Sequence, residues 1–273
     1  MPLGMGSIAE VASLVMASTL VVTLAVFAAG ALVERLAPAE PAQPRAHLWL
    51  NLGYTIVFAA ILQVAKPLGA AVTIALVNAG GGGFFRLPGE GWAVALSAAL
   101  FIVAMDFMEY LFHRAQHTVP FLWQMHSFHH SDPSLNVTTT MRAFWLEPAI
   151  KAVFVYPIVG ILFHAPPLVL TIYGVSKLWD FVNHLNLRIH FGRFWVVLNG
   201  PQYHRIHHSR EPEHFNRNFA AFFPVFDWIF GTHHRPIQGE FPVTGLDTGD
   251  RPRNLLEALA WPIRRLLSRG RLA

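Results

Sequence analysis

The sequence predicts an all-α, multi-pass membrane protein: about four transmembrane helices, a folded-back hairpin and a histidine-rich helical cap on the cytoplasmic face. Three observations carry this. The chain of 273 residues is 53% apolar and only 13% charged, with a mean hydropathy of +0.40, outside the balance of an ordinary soluble domain. Long apolar runs recur, separated by short proline- and glycine-marked segments. Nine of the 15 histidines fall as His113-x3-His117, His126-x2-His129-His130, a lone His184, and His204-x2-His207-His208, at spacings that put ring nitrogens on shared helix faces.

In chain order, Ile8 to Val33 carries Glu10 as its only charge and is long enough to cross a hydrocarbon core of about 30 Å. Leu48 to Val77 is the second apolar stretch, interrupted at Lys66-Pro67, where a missing amide hydrogen bends one span or ends it in a surface turn. The run Ala79 to Gly91, with Gly80 to Gly83 and Pro88, reads as a loop and lacks the spacing of a nucleotide cradle. The third span, Trp92 to about Phe112, leads directly into His113 and His117. Ala149 to Tyr173 is divided by Pro157 and by Pro166-Pro167 and reads as two short helices folded back on one another. Residues 1–91 thus form N-terminal transmembrane helices and a loop, 92–235 a histidine-box catalytic region, and 236–273 a basic amphipathic tail suited to anionic headgroups.

Several classes are excluded. With no cysteine, disulfides, thiolate ligands and iron–sulfur clusters are impossible. The net charge of +4 has no accompanying motif for nucleic acid. Residues 1–10 lack a positive n-region and the first apolar run exceeds a signal core, so the first helix is expected to stay. Arginines such as Arg35, Arg45, Arg114, Arg142 and Arg205 fall on the histidine-bearing side, whereas the opposite side offers little beyond Arg86. By the positive-inside rule the histidines face the cytoplasm, and an arginine-rich, lysine-poor usage points to a bacterial inner membrane.

Nine imidazoles collected without metal would make a poor, pH-sensitive core, whereas neutral imidazole is a good ligand for iron, zinc, copper or nickel. Two ions sharing nine rings hold four or five each and keep a position open, which favours catalysis over a closed structural site. A lipid-cleaving di-zinc hydrolase is the alternative, weakened by the lack of HExxH or of any carboxylate inside a histidine box. A metal transporter is weaker still, because the ionisable residues cluster beyond the spans rather than within them.

The succession Asp106-Phe-Met-Glu-Tyr-Leu-Phe-His113-Arg-Ala-Gln-His117, His126-Ser-Phe-His129-His130-Ser, His204-Arg-Ile-His207-His208-Ser and Phe226-Asp227-Trp-Ile-Phe-Gly231-Thr232 resembles the fatty acid hydroxylase superfamily, which includes sterol desaturases, sphingolipid hydroxylases and alkylglycerol monooxygenase. The likeness runs from about residue 95 to 235. It implies a membrane-bound enzyme with two iron ions, which zinc can replace on purification. It further implies O2, a membrane lipid substrate and a separate electron donor of ferredoxin or cytochrome type with its reductase. Carried over by position, the resemblance makes His113, His117, His126, His129, His130, His184, His204, His207 and His208 the metal ligands. Some members have a tenth histidine where this chain has Arg188. His190 reads as a non-ligand, and His214, His233 and His234 as surface or structural residues.

A ligating imidazole usually donates its other N–H to a carboxylate or carbonyl. Asp106, two turns before His113, is expected to pair with an arginine or hold a ligand histidine. Asp180, one turn before His184, and Glu109 and Asp227 are candidates on similar grounds. The resemblance also makes Asn136, Arg142 and Asn218 polar pocket positions. Asp106, Asp180 and Asn218 are thus the candidate catalytic residues outside the metal set, and aromatics such as Phe112, Phe121, Trp123, Phe128, Phe144, Trp145, Trp179 and Phe181 are candidate walls of a lipid channel.

Overall fold

The computed structural model describes residues 5–269, with side chains described from 19 to 267. Three long helices set the frame: α1 (Met5–Glu34), α2 (Arg45–Ala79) and α3 (Ala93–Thr118). α2 is one continuous helix with Pro67 inside it. Its 35 residues reach about 52 Å at about 1.5 Å each, well beyond a hydrocarbon core. The two halves divide accordingly. Asn51, Tyr54, Thr55, Phe58 and Leu62 are buried in the cap, whereas Val64, Leu68 and Ile74 further along are each at least 60% exposed. α2 and α3 are long and apolar enough to cross a membrane. α1 encloses the expected first span, and its described part, Thr19–Glu34, is apolar but shorter. Exposed leucines and valines on these helices form the surface that lipid would cover.

α3 ends where Val119 precedes Pro120, since the residue before proline avoids the helical region; Val119 is extended at ψ 116°. Pro120 then opens α4 (Pro120–His130) at a first-turn position that needs no N–H. This break folds α4 back against the end of α3 and juxtaposes the first two histidine boxes. The hairpin follows as α5 (Glu147–Phe154), α6 (Tyr156–Leu162) and α7 (Pro167–Ser176). α5 and α6 part at Val155, two residues before Pro157, and Pro166-Pro167 resets the chain into α7. Two short parallel strands, β1 (Phe85–Arg86) and β2 (Phe163–His164), tie the glycine loop to the hairpin tip. Gly83 sits there at φ +70°, and a Cβ on it would lie 2.7 Å from that of His164. Strain and space both demand glycine.

The remaining helices, α8 (Trp179–Asn183), α9 (Pro201–His207), α10 (Val225–Ile229), α11 (Leu255–Leu259) and α12 (Trp261–Arg269), are short and build the cap. Glu34 joins α1 to it by accepting hydrogen bonds from the amides of Val137 (2.8 Å) and Asn186 (2.9 Å). The tail departs from the expected interfacial helix. Ala258 and Trp261 are core residues packed with Tyr54, Phe58 and Phe128, and the Trp261 indole N–H donates to Ser127 Oγ. Leu256, Ile263 and Leu267 keep an exposed apolar face, so the amphipathic pattern serves two surfaces. Residues 270–273 of the basic tail lie outside the described residues.

Beneath the second histidine box lies a buried polar knot. The Asp132 carboxylate accepts from Asn51 Nδ2 (2.8 Å), Thr139 Oγ1 (2.7 Å) and the Ser134 amide (3.1 Å). Arg142 is 3.9 Å from Asp132 and donates to Asn51 Oδ1 and Ser131 Oγ. Arg142 and Asp132 are 2% and 0% exposed, so removing either strands a buried charge. Asp132→Ala is expected to cost about 3–5 kcal/mol, read as a fall in the thermal midpoint of the detergent-solubilised chain. An unchanged midpoint would show that the knot contributes nothing to stability.

Candidate metal centre

The nine rings named from the sequence converge into two groups. In one, His113, His117, His126, His130 and His207 offer nitrogens within 4.8 Å of one another; in the other, His129, His184, His204 and His208 do the same. Ligands on a common ion at about 2.1 Å lie within about 4.2 Å of each other, so modest inward adjustment closes either group on a cation. The two HxxHH motifs contribute in crossed fashion. On α4, His126 and His130 share a face and join the first group while His129 joins the second. On α9 and its C-cap, His204 and His208 join the second while His207 joins the first. Each of these helices thereby holds both positions, and the rings of His130 and His208 stack across the boundary at 4.3 Å.

The tautomers follow from the outer hydrogen bonds. His113 Nδ1 donates to the Phe219 carbonyl (2.8 Å), His207 Nδ1 to that of Arg217 (2.8 Å) and His184 Nδ1 to that of Asp180 (2.6 Å). A neutral ring that spends its one proton outward presents a bare Nε2 lone pair inward. Inside the second group, Nε2 atoms face one another at 3.1 Å (His129, His184), 3.0 Å (His184, His204) and 3.2 Å (His204, His208). His184 spends its proton on the Asp180 carbonyl, so its Nε2 brings only a lone pair to these neighbours. His117, His130 and His207 Nε2 are buried with no hydrogen-bond partner among the described residues. Buried imidazole nitrogens without hydrogen-bond partners, gathered in two groups, fit a pair of cations. Burial, reinforced by neighbouring imidazoles, holds His126, His129, His130, His204 and His208 well below the ordinary imidazole range, so these rings are kept in the neutral, ligating form.

The supports differ from those the sequence suggested. Asp106 holds neither an arginine nor a ligand histidine; both its oxygens accept backbone amides, of Phe222 (3.0 Å) and Phe223 (2.9 Å). Asp227 accepts from the amides of Phe219 and Ala220, each at 2.8 Å, and from Tyr203 Oη and Thr232 Oγ1. Both carboxylates therefore clamp the segment 219–223, whose Phe219 carbonyl orients His113. Asn216 and Asn218 bend the chain just before it through left-handed φ values of 57° and 60°, tolerated by asparagine but strained. Asn218 is pinned by its side chain, which accepts from the His234 amide and donates to the Tyr203 carbonyl. Asp180 orients His184 through its carbonyl, while its carboxylate pairs with Lys177 at 2.8 Å.

Arg188, at the tenth ligand place, donates to the Ala39 carbonyl. His190 accepts from the Gly192 amide. His214 is buried and, with His234, meets Glu240 Oε1 at 3.3 and 3.1 Å, a cluster apart from the nine. Lys151, Lys177 and Glu147, which sequence reasoning did not single out, line a cavity of about 240 Å³ against both ring groups. A second opening, of about 350 Å³, reaches His117, His130 and His207 beside Trp123. A larger cavity, about 1240 Å³ between residues 190–197 and 228–238, touches none of the nine. Of the expected channel aromatics, Phe112 and Phe128 are instead core.

The sequence profile of the family described as fatty acid hydroxylase matches residues 98–232, a range holding all nine rings. The chain belongs to the fatty acid hydroxylase superfamily. It is 32% identical over 149 residues to an alkylglycerol monooxygenase of Caenorhabditis elegans, covering 55% of this chain and 29% of that one. It is 27% identical over 251 residues to an ornithine lipid hydroxylase of Rhizobium tropici, covering 90% and 75%. The chain thus spans about a third of the monooxygenase and three quarters of the bacterial hydroxylase. No solved structure matches the chain significantly.

In this superfamily member the carboxylate clamp predicts an effect at a distance. Asp227→Ala, which removes no ring, is expected to weaken metal binding about 10- to 100-fold, as loss of an outer support does, measured by chelator competition on the purified chain. Unaltered retention would mean that the clamp does not position the rings.

Proposed function

We propose that this chain is a membrane-bound, non-haem di-iron oxygenase that hydroxylates a lipid with O2 and externally supplied electrons. The observation that carries the reading is the crossed set of five and four neutral imidazoles. The two relatives above, a monooxygenase and a hydroxylase of lipids, favour hydroxylation over desaturation or cleavage. The nine histidines would hold the irons, and Asp106, Asp180, Asp227 and Asn218 act as positioning residues through backbone carbonyls and amides. When bound, the iron pair supplies a redox centre that reduces O2 with two external electrons for oxygen insertion into a C–H bond.

The chain's own residues do the rest. The carbonyls of Asp180, Arg217 and Phe219 keep the Nδ1 protons of their rings outward, which prevents those imidazoles from turning away. Phe219, buried and in ring contact with His113, His117 and His207, excludes water from one side of the cage. An apolar groove of about 460 Å³ between α2 and α5–α6 is the approach for the lipid tail. A ferredoxin- or cytochrome-type donor with its reductase would deliver electrons from the face bearing the rings. A di-zinc hydrolase is not favoured: the carboxylates of the chamber against both ring groups, Glu109, Glu147 and Asp180, are all paired with lysines.

In the membrane, α1, α2, α3 and the α5–α7 hairpin would cross or enter the bilayer of a bacterial inner membrane, with the cap on the cytoplasmic side. Two experiments test the reading. His129→Ala and His207→Ala, one from each group, are each expected to lower bound iron and abolish O2-dependent hydroxylation; survival of both iron and product would end the di-iron assignment. Pro212→Cys, in a chain without native cysteine, is expected to react with an impermeant thiol reagent only after cells are permeabilised. Labelling from outside intact cells would reverse the orientation.

A further inference from the structure

His214 and His234 lie outside every histidine box and far apart in the chain, yet the fold brings them together. His214 closes the turn Pro212–His214 that follows the last box, and His234 and Glu240 lie on the loop that leaves α10. The Nε2 atoms of both rings converge on one carboxylate oxygen, Glu240 Oε1, at 3.3 Å from His214 and 3.1 Å from His234. The rings stand nearly perpendicular, at 80° with centroids 4.6 Å apart, so the two nitrogens reach that oxygen from different directions. None of the three residues belongs to either ring group of the paired centre. They form a separate set whose ligand atoms lie within 4.8 Å of one another.

The carboxylate is held in place before anything binds. Its other oxygen, Oε2, accepts from the Ile237 amide at 3.0 Å, and the Gln202 side chain on α9 donates to the carbonyls of Ile237 (2.7 Å) and Glu240 (2.8 Å). Turning Oε1 away from the rings would break the first of these bonds. His234 is anchored by its amide, which donates to Asn218 Oδ1 at 2.6 Å. His214 is 3% exposed, and its Nδ1 is buried with no hydrogen-bond partner among the described residues, 3.7 Å from Glu211.

A neutral His214 has one proton and two carboxylate neighbours. Placed on Nε2, the proton leaves a buried lone pair on Nδ1 turned toward Glu211; placed on Nδ1, it leaves a bare Nε2 at 3.3 Å from a carboxylate oxygen. A cation on Nε2 removes the conflict. The Nδ1–H then faces Glu211, the imidazole–carboxylate relation that orients a metal-bound ring. Ligands about 2.0–2.1 Å from a tetrahedral ion lie about 3.3 Å from one another, close to the 3.3 and 3.1 Å that the rings keep from Glu240 Oε1. Two imidazoles and one carboxylate are a donor set that zinc accepts with water in the fourth place. His234 and Glu240 are 25% and 21% exposed, which leaves water a route to it.

We propose that His214, His234 and Glu240 hold a third divalent cation, of the zinc class, which fastens the turn after the last histidine box to the loop packed on α9. The site is independent of the oxygenase reading and of the metal in the ring cage.

The chain has no cysteine, which permits a test by gain of signal. His234→Cys and, separately, His214→Cys would be purified as the full chain in detergent, treated with chelator and titrated with Co2+. A thiolate bound to Co2+ gives an intense near-ultraviolet charge-transfer band, and thiolate is a ligand that nothing else in this chain supplies. Expected is that band, saturating at one Co2+ per chain, in both variants and not in His233→Cys, which alters the adjacent residue outside the cluster. Adding Glu240→Gln to His234→Cys should weaken Co2+ at least about tenfold, since even an outer support of a metal site is worth about 10- to 100-fold. In the chain with its native histidines, zinc counted by native mass spectrometry should fall by one ion on Glu240→Gln. A band of equal strength in His233→Cys overturns the site, as does an unchanged zinc count in Glu240→Gln. So does the lack of a band in both His234→Cys and His214→Cys while the ring cage still takes up metal, the result expected if a doubly protonated His214 bridges Glu211 and Glu240 instead. None of these readouts depends on O2 chemistry, so failure here leaves the oxygenase reading untouched.

Discussion

A neutral imidazole has two nitrogens and one proton, and the organisation of this protein follows from where that proton is held. Three rings spend it on a backbone carbonyl, which leaves the other nitrogen bare and aimed inward. A carbonyl can do this only if its own peptide is immobile. At the Phe219 carbonyl the chain meets that demand with Asp106 and Asp227, each of which accepts from two successive amides of the segment 219–223, and with Asn199, whose side chain donates to the Ala220 carbonyl and whose backbone amide donates to the Phe222 carbonyl. Buried carboxylates are costly unless their hydrogen bonds are complete, and here that cost secures the geometry of a loop. Rigidity at the rings is thus delivered through the main chain.

Much of this was legible in the sequence, for reasons that differ by element. The long helices were legible because lipid imposes a length and an apolarity that few charges interrupt. Their cap-side extension was not, since Asn51 and Tyr54 belong to the same helix as the exposed Val64 and Ile74. Pro67 was ambiguous because one missing hydrogen bond can be absorbed within a long helix or can end it, and tertiary contacts decide. The ligands were legible as a set because HxxxH and HxxHH impose a common face. Their partition was not, because which ring of HxxHH meets which partner depends on how α4 and α9 cross.

The supporting carboxylates show the limit most clearly. Helical spacing placed Asp106 two turns from His113 on one face, and the inference to a direct contact ignored a competitor, the free amides of a loop 116 residues away. Nothing local in the sequence announces that Phe222 and Phe223 will present their N–H groups there. The one local signal was the pair Asn216 and Asn218, residue types that tolerate left-handed backbone in a stretch following the last box. Lys151 and Glu147 escaped notice for the opposite reason: they lie at the edge of a run whose apolar majority reads as membrane hairpin, and an i,i+4 ion pair in such a run is easily taken for a local helix contact.

The charge balance joins these observations. Neutral imidazoles contribute no negative charge, so a pair of divalent cations would arrive with their full charge inside a low-dielectric cap. Compensation has to come from beyond the ligands. Asp132 and Arg142 form a nearly closed pair that offers little net charge, and Asp106 and Asp227 are committed to amides. The chamber is different: three carboxylates, Glu109, Glu147 and Asp180, face two lysines, an excess of one negative charge beside both ring groups. That excess would offset part of the charge of a cationic centre, so a change that neutralises a chamber carboxylate would act on the metal pair.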